Sequence, residues 1–279
     1  MVAAFRNLQK LYNVLYRLCY RYPSHRLIFE RLLLCLRSKM SQSSSSTIIL
    51  TGANCGIGFE TCKVLCQLGH DMVISVRDDA KGQATISAIK AEIPAAKIMY
   101  LIMDLSDPVS IRAFVDAFHK TGKSLHVLIN NAGVFQAYKD ATRVPVPSNP
   151  DSEMTMAVNC MGPFLLTNLL LDDLKTAGTE DHPARIVNVS SMITTMASKG
   201  WEFDIEDIML TKPDSYKSGF QAYKCSKIAL NLWSNELSRR LADKQAYVIV
   251  NTLCPGFIPS TNLGRNNPSF LTYVLQFST

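Results

Sequence analysis

From Thr47 onward, short runs of β-branched residues alternate with longer stretches whose apolar positions recur at helical spacing. This pattern predicts strands over residues 47–51, 71–76, 97–101, 126–130, 185–189 and 247–253, with helices beginning near Gly58, Asp79, Val109, Met154 and Tyr223. Several of the strands are apolar almost throughout, as expected where a parallel sheet is covered by helices on both faces. The alternation predicts an α/β fold, a doubly wound parallel sheet. Such sheets bind ligands outside the carboxyl ends of their strands, so the chemistry is expected in the loops that follow the strands.

Residues 1–40 follow another pattern. On a helix at about 100° per residue, Arg6, Lys10, Asn13, Arg17 and Arg21 form one stripe and Phe5, Leu8, Leu11, Leu15, Leu18 and Tyr22 lie opposite. Pro23 ends that helix, and Ser24 can cap a second one running through the Leu32–Leu36 run. Neither stretch offers the roughly 18 apolar residues of a membrane span, or the uninterrupted apolar core and cleavage site of a secretory signal. Three readings stay open: an in-plane anchor on an anionic membrane, a mitochondrial transit peptide, and a helical hairpin packed on the domain. The expected organisation is a basic amphipathic segment over 1–40, a flexible Ser-rich linker over 41–46 (SQSSSS), and one α/β domain over 47–279.

Charge changes the picture mainly by its location. The net charge of +6 is concentrated in residues 1–40, which hold eight basic residues against Glu30 alone. The rest of the chain is nearly neutral, which argues against a surface that tracks nucleic-acid phosphates. With 47% hydrophobic and 19% charged residues the chain can build a large core and is neither disordered nor of low complexity. Its eight cysteines include no CxxC pair and read as buried small hydrophobes in a reducing compartment. The five histidines show no metal-ligand spacing, so no metal site is expected.

The loop after the first strand reads Thr51-Gly52-Ala53-Asn54-Cys55-Gly56-Ile57-Gly58. Glycines there allow a tight turn and close approach of the backbone to a pyrophosphate at a helix N-terminus. The TGxxxGxG spacing resembles the short-chain dehydrogenase/reductase family and differs from the GxGxxG of most two-domain dehydrogenases. Further matches follow in order: Asp104-Leu105, Asn130-Asn131-Ala132-Gly133, Asn159, Ser191, Tyr223 with Lys227, and Pro255-Gly256. The resemblance covers residues 47–263 and implies a Rossmann fold of six strands, the family's seventh being absent. It implies a catalytic set of Asn159, Ser191, Tyr223 and Lys227. It also implies a cofactor site of Gly52, Asn54, Cys55, Gly56, Ile57, Gly58, Arg77, Asp104, Leu105, Asn130, Ala132, Gly133, Tyr223, Lys227, Pro255 and Gly256.

A tyrosine is mostly protonated near neutral pH, so as a base it needs help, which the positive charge of Lys227 one helical turn away is expected to give. Ser191 would orient the substrate oxygen, and Asn159 would anchor a water in the proton path, as the resemblance implies. The second strand ends in Ser75-Val76-Arg77, with a base rather than an acid where a 2′-phosphate would lie, which favours NADP(H) over NAD. The insert over 192–222, carrying Trp201, Phe203, Ile205, Ile208, Met209 and Phe220, resembles the retinol dehydrogenase-like branch. The stretches AYKCSK and CPGFIPSTNLGRN resemble the light-dependent protochlorophyllide reductase branch.

The expected function is NADP(H)-dependent interconversion of a lipophilic alcohol and its aldehyde or ketone, on an intracellular membrane of the endoplasmic reticulum or a lipid surface, with a mitochondrial site as the alternative. A homo-oligomer stays open. Two competing readings are a nucleotide-sugar epimerase, which the TGxxxGxG spacing disfavours, and a non-catalytic cofactor-binding or scaffold protein.

Overall fold

The computed structural model describes residues 45–136, 142–195, 203–256 and 263. The predicted helices of residues 1–40, most of the linker, and Trp201 lie outside the described residues. Strands β1 (Thr47–Thr51), β2 (Asp71–Val76), β3 (Lys97–Ile102), β4 (Val127–Asn130), β7 (Ala184–Val189) and β8 (Val248–Leu253) form a six-stranded sheet in the order β3-β2-β1-β4-β7-β8. Every pairing is parallel. A short antiparallel pair, β5 (Pro145–Val146) with β6 (Asn149–Glu153), was not expected from the sequence.

Helices α1 (Gly56–Gln67), α2 (Asp79–Glu92), α3 (Pro108–His119), α4 (Met154–Leu169), α5 (Leu171–Ala177) and α6 (Gly219–Asp243) complete the described domain. Alternate residues of one strand serve opposite faces of the sheet. Ile49, Val73, Leu128 and Ile186 join the cluster that includes Phe114, Phe118 and Leu166, whereas Ile48, Leu50, Met72, Ile74 and Val187 join Cys62, Leu65 and Ile89. Both faces are therefore buried, which explains the continuous apolar runs in the sequence.

Helix starts correct the sequence reading by up to four residues. The long helix α6 begins at Gly219 rather than near Tyr223, because Ser218 caps it by accepting from the Gln221 N–H at 3.2 Å. Tyr223 thus lies inside the first turns of a rigid helix instead of at its frayed end. Asp107 caps α3 and allows Pro108 at its first position. The chain runs outward from β1 through β2 to β3 and then returns to β4 on the other side of β1. The resulting crevice between β1 and β4 is the switch point at which such sheets bind ligands.

Candidate active site

The glycine loop after β1 is shaped by contacts that no larger residue would allow. Gly52 has φ +68°, and a Cβ there would lie 2.8 Å from the Ala132 Cα. A Cβ on Gly58 would come within 2.1 Å of the Gly52 carbonyl oxygen, so α1 starts against its own entry loop. The facing loop after β4 locks this arrangement. Thr51 Oγ1 accepts from the N–H groups of Asn131 and Ala132, both at 3.0 Å, and Asn131 Nδ2 donates to the carbonyls of Thr51 at 2.9 Å and Gly52 at 3.2 Å. Asn131, which the sequence reading did not single out, joins the two loops together with Thr51. Its position in the Asn130-Asn131-Ala132-Gly133 motif was the available signal.

The N-terminus of α1 differs from those of α2, α3 and α6. Asp78, Asp107 and Ser218 each cap their helix with a side chain, whereas Cys55 makes no side-chain cap bond and the first turn of α1 carries no acid. Its first-turn N–H groups and positive dipole end therefore face the loop opening, where Asn54 is exposed and Cys55, Gly56 and Ile57 are half-buried. A dinucleotide pyrophosphate fits this chemistry. Between Asn54, Phe59, Lys81 and Thr85 lies a second recess, of about 180 Å³.

Arg77 is exposed just beyond the end of β2. Both acids that follow it are engaged: Asp78 caps α2 and pairs with Lys81, and Asp79 Oδ1 accepts from the Tyr100 hydroxyl at 3.1 Å. Lys81 and Arg77 together hold the Asp78 carboxyl below its usual range, with Lys81 the main cause. Asp104 closes a turn, with its Oδ1 accepting from the Ser106 N–H at 2.8 Å and hydroxyl at 2.7 Å. The Leu105 side chain lies in the core, and its carbonyl oxygen would be only 2.3 Å from a Cβ on Gly162. The Asn130 side chain is also in the core, donating to Thr167 Oγ1 at 3.0 Å and Asn188 Oδ1 at 2.8 Å. The Asn130 and Leu105 side chains therefore face the core rather than the crevice.

The four residues of the proposed catalytic set converge at the carboxyl ends of β4 and β7. The Ser191 hydroxyl lies beside the Tyr223 phenol and lowers its pKa. Lys227 Nζ donates to the Val189 carbonyl at 2.8 Å. Asn159 lies in a π turn, Ala157–Met161, within α4. Its side chain accepts from the Val134 N–H at 2.8 Å and donates to the Val134 carbonyl at 2.9 Å and to Ser226 Oγ at 3.1 Å. Asn159 thus ties the loop after β4 to α6, immediately beside Gly133.

Burial sets the protonation of the pair on α6. It pushes the Tyr223 phenol up to about 12, against the lowering effect of the Ser191 hydrogen bond. It lowers Lys227 to about 8. Burial is the largest influence on the Tyr223 phenol, and Lys227 Nζ lies 5.8 Å from its ring centroid.

Phe135 stacks on the Tyr223 ring at 4.8 Å between centroids, and Ile193 and Phe220 complete this apolar wall. Several other described apolar residues of the insert face inward instead. Phe203, Ile208 and Met209 pack against Met156, Cys160 and Cys225, while Ile205 is exposed. Next to Ser191 a groove of about 450 Å³ opens, lined in part by Met192, Asn231, Cys254 and Gly256.

Comparison with known proteins supports the same assignment. The short chain dehydrogenase family model matches residues 46–203. The chain is 39% identical over 210 residues to human polyprenol dehydrogenase, covering 75% of this chain and 60% of that protein. It is 38% identical over 220 residues to bovine retinol dehydrogenase 12, covering 78% of this chain and 63% of that protein. It therefore spans about three fifths of the length of these relatives. Among solved structures, the Pseudomonas aeruginosa RhlG/NADP active-site complex superposes with a TM-score of 0.63 at 24% identity, covering 81% of this chain and 79% of that one.

Proposed function

The chain belongs to the short-chain dehydrogenase/reductase family, and we propose that it is an NADP(H)-dependent oxidoreductase that interconverts a lipophilic alcohol and its aldehyde or ketone. The observation that carries this reading is the convergence of Ser191, Tyr223, Lys227 and Asn159 beside an uncapped, glycine-shaped helix N-terminus. The relatives' names, polyprenol and retinol dehydrogenase, support a lipophilic substrate. So does the apolar wall of Phe135, Ile193 and Phe220 around Tyr223.

Gly52, Gly56 and Gly58 with the α1 N–H groups would hold the dinucleotide phosphates, Arg77 and Lys81 a 2′-phosphate, and Lys227 the nicotinamide ribose. Gly133, Pro255 and Gly256 would shape the remaining walls. A bound NADPH supplies the hydride. In the reductive direction the Ser191 and Tyr223 hydroxyls hold the carbonyl oxygen, and Tyr223 donates its proton as charge develops there. Lys227 stabilises the resulting tyrosinate, and solvent restores the proton. NADPH oxidation by the purified chain against a panel of retinal-like and steroid-like carbonyls tests the reading. Absence of turnover with every member, in protein that binds NADPH, would leave the non-catalytic alternative.

Because Lys227 is protonated only below about 8, the reductive kcat/KM is expected to fall with an apparent pKa near that value. A pH–rate profile checks this, and a flat profile through pH 9 contradicts the role given to Lys227.

Residues 1–40 are proposed to bind an anionic intracellular membrane surface, of the endoplasmic reticulum or another lipid surface, through their basic stripe. Each basic residue near such a surface contributes about 1 kcal/mol, and each fully buried Leu or aromatic side chain about 1.5–3 kcal/mol. Deleting residues 1–40, or changing Arg6, Lys10, Arg17 and Arg21 to Glu, is expected to release the protein from sedimented vesicles. N-terminal sequencing separates this from a transit peptide, which would be cleaved near the Ser-rich linker.

A further inference from the structure

Helix α6 rests on β7 through three successive contacts, and one of them lies away from the reacting groups. The helix descends as the strand rises, so Ser191 meets Tyr223, Val189 meets Lys227, and Asn188 meets Ser234. At about 100° per residue, Tyr223, Lys227, Leu230 and Ser234 fall within a stripe of roughly 60°. All three contacts therefore depend on the same rotation of the helix.

The lowest contact is part of a buried polar chain. Asn188 Nδ2 donates to Ser234 Oγ at 2.8 Å, and Ser234 Oγ donates to the Leu230 carbonyl at 2.5 Å. Asn130 Nδ2 donates to Asn188 Oδ1 at 2.8 Å and to Thr167 Oγ1 at 3.0 Å, which extends the chain to β4 and α4. Asn188 and Thr167 are fully buried, and Ser234 and Asn130 are only 2% and 3% exposed. A buried amide without its partner is costly, so this chain strongly favours one seating of α6.

We propose that Asn188 and Ser234 are positioning residues that fix the rotation and height of α6 on β7 and thereby the approach of Tyr223 to Ser191. Ser234 is seven residues beyond Lys227, about 10 Å along the helix, so it touches none of the reacting atoms. Its effect on turnover rests on the acid/base reading of Tyr223. Its effect on the Tyr223 environment does not. Without the hydroxyl, Asn188 loses its acceptor and α6 can settle into other seatings. Small misplacements of this kind lower the chemical step far more than they lower binding.

The test uses the full chain with 3-fluorotyrosine incorporated, the Tyr223 resonance being assigned by its loss in Tyr223→Phe. In Ser234→Ala this ¹⁹F resonance is expected to shift or broaden, and in Ser234→Thr, which restores the hydroxyl, to return toward its original position. With a turned-over carbonyl, Ser234→Ala is expected to lower kcat about ten-fold with KM changed by less than about two-fold. Should Ser234→Ala fail to fold, Ser234→Cys keeps the volume with a weaker acceptor and carries the same expectation. An unchanged Tyr223 resonance in the folded variant, whether or not it is less stable, overturns the proposal. A wild-type chain that turns over no carbonyl would instead overturn the reductase reading and leave the ¹⁹F result standing.

Discussion

Tyr223→Phe is expected to lower carbonyl reduction on the order of 10³-fold or more. The substitution removes one hydroxyl and leaves the ring, so the stacking on Phe135 and the packing with Ile193 and Phe220 persist. The loss would therefore be chemical. Burial keeps the phenol protonated to about 12, which suits a group that must hand a proton to a developing alkoxide. Ser191 keeps its own hydroxyl but loses the partner with which it would hold the carbonyl oxygen. Steady-state NADPH oxidation with near-ultraviolet circular dichroism as the folding control measures the effect. Turnover within ten-fold of wild type would mean that another group donates the proton. Ser191→Ala should cost less, and the double variant should lose little beyond Tyr223→Phe, because the two hydroxyls act on one oxygen.

The sheet was legible because its strands are buried on both faces, and Ile48, Ile49 and Leu50 must all be apolar whichever way they point. The glycine loop and the order of the later motifs likewise located the crevice between β1 and β4. Side-chain direction was harder to read. Asn130 and Leu105 carry the expected identities, yet both turn into the core, and Asn131, one residue away, holds the loops together. A motif gives residue order but cannot tell which of two adjacent asparagines faces a cavity, since that depends on the pairing of β4 with β7. The balance on Tyr223 was also hidden. The spacing of Lys227 suggests an attraction, but the burial that raises the phenol depends on side chains such as Phe135 and Ile193, which are distant in sequence. The insert over 192–222 shows the same limit, because its apolar residues could have lined a pocket and Phe203, Ile208 and Met209 pack on α4 and α6 instead.

Arg77→Asp is expected to shift the NADPH/NADH preference by roughly 2–4 kcal/mol, about 30- to 1000-fold in the ratio of kcat/KM values. In the wild-type chain the acids that follow β2 are already committed. Asp78 caps α2 and pairs with Lys81, and Asp79 accepts from Tyr100, which leaves the exposed guanidinium of Arg77 at the strand end. A bidentate contact to a 2′-phosphate suits that group, and a carboxylate in its place would repel the phosphate while accepting from a ribose hydroxyl. The change should therefore weaken NADPH and strengthen NADH together. Lys81, four residues on and beside the recess near Asn54, offers a second charge. Lys81→Ala should reduce NADPH affinity by less than the Arg77 change, because its ammonium must first leave Asp78. Isothermal titration with both dinucleotides separates these effects from turnover. An unchanged ratio in Arg77→Asp would mean that the phosphate is read elsewhere, and Lys81 would then be the first residue to replace.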